Sequence, residues 1–303
     1  MKTSVVVPTY SPDRYDDFCE CVDALLSQTY DDVEIVVIVD GNDTVYEGVR
    51  EDYGDYDEVV IYASRDDAGP LSRGNMGVIQ ATGDLVALTD DDALPSDDWV
   101  ETLVDTYDRH DAIAVGGRIE PEWVAGRAEY IPEEFYFLIG ATHRGFPDEE
   151  QEVRNTFGAN LAFERGVFLK LGGFKQGGID PSQVQGRETE LCARMRQTYD
   201  RGVIYNPDAV VSHKIYDYRT EPRWLLRRAF WQGYSKRAME HLVPEASNEE
   251  SDQLRKLLFE FIPDRVWGLL TGPTRTKAAQ LVTLLVLLFT TGVGYGYGML
   301  RWR

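Results

Sequence analysis

Apolar residues gather in short blocks through the first part of the chain: Ser4–Val7, Glu34–Val39, Val59–Ala63, Leu85–Thr89 and Ile113–Val115. Blocks of this length, rich in Val and Ile, predict strands buried on both faces. Between them the apolar spacing changes to that of helices. Over Arg14–Gln28, the residues Phe18, Val22 and Leu25 share one helical face. Ser96 is placed to cap a further helix, with Asp97 and Asp98 in its first turn and Trp99 and Leu103 facing inward. This alternation predicts an α/β fold, a mostly parallel sheet covered by helices. Ligands of such sheets sit beyond the carboxyl ends of the strands. Three segments lie there: Pro8-Thr9-Tyr10, Asp40-Gly41-Asn42-Asp43 and Asp90-Asp91-Asp92.

The pattern changes near the C-terminus. Ala278–Leu300 is a run of 23 residues without a charge. As a helix it extends roughly 34 Å, enough to cross the hydrocarbon core of a bilayer. Arg275 and Lys277 precede it, and Arg301 and Arg303 follow, so the flanking charges give no orientation. Upstream, residues 214–237 hold seven Lys/Arg against two acids, with Trp224, Phe230 and Trp231 among them. That segment reads either as a membrane-surface helix or as a helix neutralising an acidic neighbour. The expected organisation is an α/β domain over 1–215, basic amphipathic helices over 216–277 and a transmembrane helix over 278–300.

Charge sharpens this picture. The 303 residues carry a formal charge of −21, from 52 acids and 31 bases. Residues 1–100 hold 24 acids and 5 bases, whereas the other 203 are near balance. An N-terminal third this acidic excludes binding to nucleic-acid phosphates. Dense carboxylates, with only seven Lys in the chain, suit a salt-rich cytoplasm. Three cysteines, Cys19, Cys21 and Cys192, include no CxxC pair, as expected of a reducing compartment.

Three adjacent carboxylates after an apolar strand are the strongest chemical signal. Unpaired, they would repel one another; a divalent cation relieves this, and Mg²⁺ or Mn²⁺ prefers oxygen ligands. Asp90 and Asp92 would point the same way if the strand continued. A metal held there could neutralise a diphosphate leaving group. Asp40, ending another strand, is a plausible acceptor for base or ribose hydrogen-bond donors, or a turn-forming Asp before Gly41. Arg73 is a phosphate partner or a solvated Arg. His213 is a third metal ligand, a diphosphate contact or a satisfied core histidine.

In order and spacing, several segments resemble the family 2 glycosyltransferases of GT-A fold. They are Val5–Tyr10, Val39–Asp43, Arg73-Gly74-Asn75-Met76-Gly77, Gly83-Asp84 and Thr89–Asp92. The resemblance continues through Phe157–Asn160, Leu171–Phe174, Arg187–Cys192 and Ser212-His213-Lys214. Composition and tail are similar to those of haloarchaeal enzymes that build N-glycans on dolichyl phosphate. The resemblance implies an inverting transferase at the cell membrane, with its catalytic domain facing the cytoplasm and a single C-terminal span. Its donor would be a nucleotide-diphosphate sugar carrying a hexose or hexuronic acid. Its acceptor would be a dolichyl-phosphate-linked glycan or, alternatively, the bare lipid phosphate. Pro8, Thr9, Asp40, Arg73, Asp90 and Asp91 would lie at the donor, and Asp90, Asp92 and His213 at the metal. Glu188 would be the catalytic base. The family pattern has two acids there, and Arg187 replaces the first. Should Glu188 be only a helix-start acid, Glu190 or Asp180 is the next candidate.

Other classes fit less well. A nucleotidyltransferase would want a Gly- and Lys/Arg-rich loop after the first strand, and Ser11-Pro12-Asp13 offers none. A processive synthase would want a Q-x-x-R-W motif, whereas Ser235 and Lys236 follow Gln232-Gly233-Tyr234. An inactive transferase-like scaffold finds its one hint in Arg187.

Overall fold

The computed structural model describes residues 1–64, 69–175, 186–242 and 254–302. Contacts divide the chain into two units. The first comprises residues 1–120, 147–175 and 187–213, and the second 121–146, 176–186 and 214–303. The break in sequence is therefore not a single point, since 121–146 groups with the C-terminal helices.

The first unit begins as the apolar blocks foretell. Strands β1 (Thr3–Thr9), β2 (Val33–Asp40), β3 (Val59–Ser64) and β4 (Leu85–Leu88) alternate with α1 (Tyr15–Leu26), α2 (Asp43–Tyr53) and α3 (Gly69–Gln80). They pair in parallel in the order β3-β2-β1-β4. Both faces are covered: Val5, Val7, Ile35 and Val37 are as deeply buried as Val6, Val36 and Val86. In α1, Phe18, Val22 and Leu25 face inward as their spacing predicts.

Beyond β4 the sheet departs from the parallel pattern. Strands β8 (Leu161–Glu164) and β6 (Ala114–Trp123) continue it antiparallel. Strand β9 (Val203–Ile215) takes up β5 (Ala93–Pro95) and β7 (Gln151–Val153), also antiparallel. Short strands of three or four residues carry too little alternation to be read from sequence. Because β5 uses Ala93–Pro95, helix α4 (Trp99–Arg109) starts later than Ser96 suggested. Asp98 stands at its N-cap, while the Ser96 hydroxyl bonds the Asp98 carboxylate at 3.0 Å. Trp99 and Leu103 are buried as expected. Helices α5 (Arg165–Leu171) and α6 (Arg187–Tyr199) complete the unit. Leu191, Cys192 and Met195 join Val6, Val86 and Phe163 in one core.

The second unit is mostly helical. It contains α7 (Asp217–Thr220), α8 (Pro222–Leu242), α9 (Ile262–Thr271) and α10 (Arg275–Arg301). Among the described residues α10 is the one helix long and apolar enough to cross a membrane. Thr274 caps it, its hydroxyl accepting from the Lys277 amide at 3.1 Å. In this unit Glu134 is fully buried and clamped by Arg265, whose Nε and Nη2 reach its carboxylate at 2.6–3.0 Å. Arg144 adds a further bond at 3.1 Å. A buried carboxylate is tolerable with partners of this quality.

At the amino end of the sheet, Glu34 ties β1, β2 and the end of α3 together. It accepts from the Ser4 hydroxyl, from the amide and hydroxyl of Thr82, and from the Lys2 ammonium, at 2.5–3.0 Å. Burial alone would raise its pKa, but these hydrogen bonds outweigh burial and hold it at about 2. The stabilisation is complete above the unfolded carboxyl's value and is lost as pH falls through about 2. Glu34→Gln should lower unfolding free energy by about 1–3 kcal/mol at neutral pH. The difference from the parent should shrink as denaturation curves are taken toward pH 2.

Candidate active site

The triple carboxylate lies at the carboxyl end of the parallel strands, but not on a continued strand. Strand β4 stops at Leu88, and the Ala93 amide closes a turn onto the Asp90 carbonyl at 3.2 Å. Pairing of Ala93 with His213 in β9 forces this turn. It also carries out what strand continuation was expected to do. Ligand atoms of Asp90, Asp92 and His213 all lie within 4.8 Å of one another. His213 Nε2 stands 3.1 Å from Asp92 Oδ1, and both side chains are nearly inaccessible. Two carboxylates and an imidazole converge, Asp92 and His213 buried and Asp90 half-buried, a donor set suited to Mn²⁺ or Mg²⁺.

Asp91 faces differently. Burial pushes its carboxyl up to about 6; Arg14 opposes the shift, and the neighbouring Asp92 and Asp90 add to it. Arg14 Nη1 reaches Asp91 at 3.3 Å and Asp92 at 3.2 Å. This arginine ends a 3₁₀ turn, Pro12–Arg14, directly after β1. Sequence reading placed it only at the start of a helix. The available signal was its scarcity, as one of five bases among 24 acids.

Tyr10 joins this cluster to a second one. Its hydroxyl accepts from Arg14 Nη2 at 2.7 Å, and its ring carries Arg14 at 5.3 Å and Arg73 at 4.8 Å. Arg73 in turn pairs with Asp40 at 3.4 Å. Residues from the ends of β1, β2 and β4 and from α3 thus form a row of alternating charge: Asp92, Arg14, Arg73, Asp40. Among the described residues, the other Asp40 oxygen, Oδ1, is buried with no hydrogen-bond partner, as is Asp91 Oδ2. Such atoms are poorly satisfied unless a ligand supplies donors. Beyond Asp40, Gly41, Asn42, Asp43, Tyr46 and Ser64 line a cleft of about 310 Å³. Pro8 and Thr9 are the last residues of β1, beside Ile38 and Val39, and Thr9 is fully buried.

The motif Arg73–Gly77 has a separate physical task at each position. Asn75 bonds both the amide and the carbonyl of Phe174, at 2.8 and 3.0 Å. A Cβ on Gly77 would stand 2.2 Å from a Val6 methyl, so glycine lets α3 lie on β1. A Cβ on Gly74 would stand 3.1 Å from the Phe174 ring. That ring supports Arg187 at 5.3 Å.

Glu188 stands in the first turn of α6, its carboxylate partly open to solvent and bonded by Arg187 Nε at 2.5 Å. Arg187, which replaces the family's first acid, thus orients this carboxylate. Gly158 gives it room, because a Cβ there would meet Oε1 at 2.5 Å. Glu190 is held instead by Arg194, which also bonds the carbonyls of Leu171 and Gly173. Asp180 lies outside the described residues. Asn160, two residues after Gly158, is fully buried; it accepts from the Trp99 indole and donates to the carbonyls of Arg118 and Ala209. Burial pushes the Cys192 thiol up to about 12, which disfavours its thiolate.

Residues 4–172 match the sequence profile of glycosyl transferase family 2. The chain belongs to that family. A glucosyl-dolichyl phosphate glucuronosyltransferase of Haloferax volcanii is 45% identical over 303 residues, covering 99% of this chain and 97% of that one. Glycosyltransferase AglE of the same organism is 30% identical over 39% of each chain. Among solved structures, a family-like fold is seen in a mannosyltransferase of Pyrobaculum calidifontis in complex with GDP-Man and Mn²⁺. It has a TM-score of 0.57 at 19% identity, over 96% of this chain and 86% of that one. TarS 1–349 of S. aureus has a TM-score of 0.55 at 15% identity, over 100% and 91%. The fold is GT-A, and the glycosyl transferase family 2 match spans the elements that carry Asp40, Arg73 and Asp90–Asp92.

Gly158→Ala tests the space around Glu188. The added methyl would displace the carboxylate, a movable side-chain end, rather than backbone. Turnover should fall by about tenfold or more, with the melting temperature nearly unchanged. Steady-state kinetics and thermal melts on the same preparation check both parts.

Proposed function

We propose that this glycosyl transferase moves a hexuronic acid or hexose from a nucleoside-diphosphate donor to a dolichyl-phosphate-linked glycan, with inversion. The observation that carries it is the convergence of Asp90, Asp92 and His213 beside the Asp40–Arg73 pair at the strand ends. The full-length likeness to a glucosyl-dolichyl phosphate glucuronosyltransferase supports the lipid-linked acceptor and the uronic acid donor. Charging of the bare lipid phosphate is the alternative acceptor chemistry. The chain works at the cell membrane, held there by its C-terminal apolar helix, with the catalytic unit on the cytoplasmic side where nucleotide sugars are made.

Each residue has a role in this reading. Asp40 Oδ1 accepts from the base or ribose, and Arg73 holds a phosphate or the base. Pro8 and Thr9 form the floor of the nucleotide site, and Asp90 and Asp91 lie along the donor. Asp90, Asp92 and His213 hold Mg²⁺ or Mn²⁺, which when bound neutralises charge on the departing diphosphate. Glu188 takes the proton of the acceptor hydroxyl as that oxygen attacks the anomeric carbon from the face opposite the diphosphate. Attack and departure on opposite faces invert the centre. Arg187 fixes the Glu188 carboxylate in place.

Two variants separate these roles. Asp92→Ala should cut transfer by at least about 10²-fold through loss of a metal ligand. In the parent, chelator should abolish activity and Mn²⁺ or Mg²⁺ restore it; full turnover in metal-free buffer would refute the metal's role. Glu188→Gln should leave donor binding intact while kcat drops about 10²–10⁴-fold. Normal turnover by the Gln variant would remove Glu188 as base. The function itself is tested by supplying a panel of nucleotide sugars to the full chain with lipid extract and weighing the lipid product by mass spectrometry. Transfer of a sugar to protein or free glycan alone, with no lipid product, would overturn the acceptor assignment.

A further inference from the structure

Length and composition make α10 fit to cross a bilayer, but its packing tells more. In the second unit α8 lies along the C-terminal half of α10 at backbone contact. A Cβ on Gly294 would stand 1.9 Å from the Phe230 carbonyl oxygen, and one on Gly233 would stand 1.9 Å from that of Thr291. A Cβ on Gly298 would stand 2.8 Å from Arg237 Cβ. Phe230 meets Gly294, Tyr234 meets Gly298 and Arg237 meets Trp302, so the two helices run parallel. Three glycines exist here to let two helices touch, as at close-packed membrane or core crossings.

The partner helix is charged. Arg237 pairs with Glu240 at 3.0 Å and donates to the Trp302 carbonyl, while Glu240 accepts from the Tyr295 hydroxyl at 2.7 Å. Extending the register back from Phe230 and Gly294 puts Pro222 beside residue ~286, near the midpoint of the uncharged run. The exposed Arg223 and Arg227 would then lie near the bilayer centre if α10 crossed it. Charges at that depth are expensive and need an interior or aqueous partner. The start of α10 is also tied to polar groups: Gln280 accepts from Arg265 and donates to the Glu129 carbonyl, both at 2.8 Å.

The remaining surface of α10 is a single apolar stripe. Val282, Leu285, Val286, Phe289, Val293 and Leu300 are all well exposed, Phe289 at 73%. Leu284, Leu287, Gly294 and Gly298 occupy the opposite, buried side. Nearby in sequence, α9 exposes Trp267 at 69% and Leu270 at 73%. Exposed Arg275, Lys277 and Arg301 flank the stripe. In a chain whose net charge is −21, this local excess of bases complements anionic headgroups.

We infer that α10 does not span the bilayer but lies in one leaflet, its apolar stripe toward the acyl chains and its glycine face held by α8. The occupant of the stripe is an anionic bilayer entered from one side. This inference rests on the membrane location proposed above and specifies how the membrane is held. It also places the lipid-linked acceptor and the anchor on the same face.

The full chain is the proper subject of the test, because removing α10 would strip Leu284 and Leu287 from the core of the second unit. Arg275→Cys and Arg301→Cys, made singly with Cys19→Ser, are expressed and probed with an impermeant maleimide. Sealed inverted vesicles and sealed right-side-out vesicles are compared. Both cysteines should label in inverted vesicles and neither in right-side-out ones. Labelling of Arg301→Cys only from the outer side would show a span and overturn the inference, while leaving the membrane location intact. Recovery of the parent from the salt-washed soluble fraction as a dimer would mean a second copy covers the stripe, overturning inference and location together. As a second measure, Phe289→Asp should weaken co-sedimentation with phosphatidylglycerol vesicles at least tenfold while donor hydrolysis persists; unchanged binding would also overturn it.

Discussion

Charge crowding at the end of β4 governs the catalytic unit. Asp90, Asp91 and Asp92 stand together in one turn, half-buried at Asp90 and buried at the other two, and carboxylates so crowded need a counter-charge or a ligand. Arg14 answers two of them and His213 a third contact. Because Tyr10 carries Arg14 and Arg73 together, the same arrangement extends to Asp40. Acidic residues elsewhere on the surface are solvated and screened; these are not. The architecture around them, from the 3₁₀ turn after β1 to the antiparallel pairing of β5 with β9, serves to bring cations and an imidazole to buried carboxylates.

Close approach of backbone is the second recurring device. Gly77 lets α3 settle on β1, Gly74 admits the Phe174 ring, and Gly158 leaves space for the Glu188 carboxylate. Asn75 and Asn160 fasten the segments that these contacts bring near, each bonding main-chain groups far away in sequence. Phe174 and Gly158 thus set the surroundings of Arg187 and the Glu188 carboxylate. The same device joins α8 to α10 in the second unit, through Gly233, Gly294 and Gly298. There, glycine contact brings a charged helix alongside an apolar one, which hydropathy alone does not reveal.

A transferase acting on a lipid-linked glycan needs a water-soluble donor site and access to a membrane-held acceptor. The two units supply different chemistry for these needs. One gathers carboxylates and arginines at strand ends; the other gathers exposed apolar side chains and flanking bases. Net acidity of the first hundred residues and local basicity of the C-terminal helices are thus a division of labour written in composition.

Much of this was legible in the chain of residues alone. The Val- and Ile-rich blocks determined β1 to β4 and their parallel sense, because strands buried on both faces need continuous apolar runs; their order in the sheet did not follow. The Asp90–Asp92 turn and Asp40 declared themselves by residue type at strand ends, whereas Arg73 and Glu188 stood out through the resemblance of their motifs to a known family. The length of α10 followed from its uncharged run. Tertiary structure decided the rest. Strands β5 and β7 are too short for a period, and only pairing with β9 makes them strands, which turns Asp90–Asp92 out of line and delays α4 past Ser96. Arg14 looked like one helix-start base, and only folding set it against Asp91 and Asp92, 77 and 78 residues away. Likewise a hydropathy window saw α10 as a lone apolar rod. Which side of it meets α8, and which is left open, depends on contacts between residues some sixty positions apart, and no local pattern encodes those.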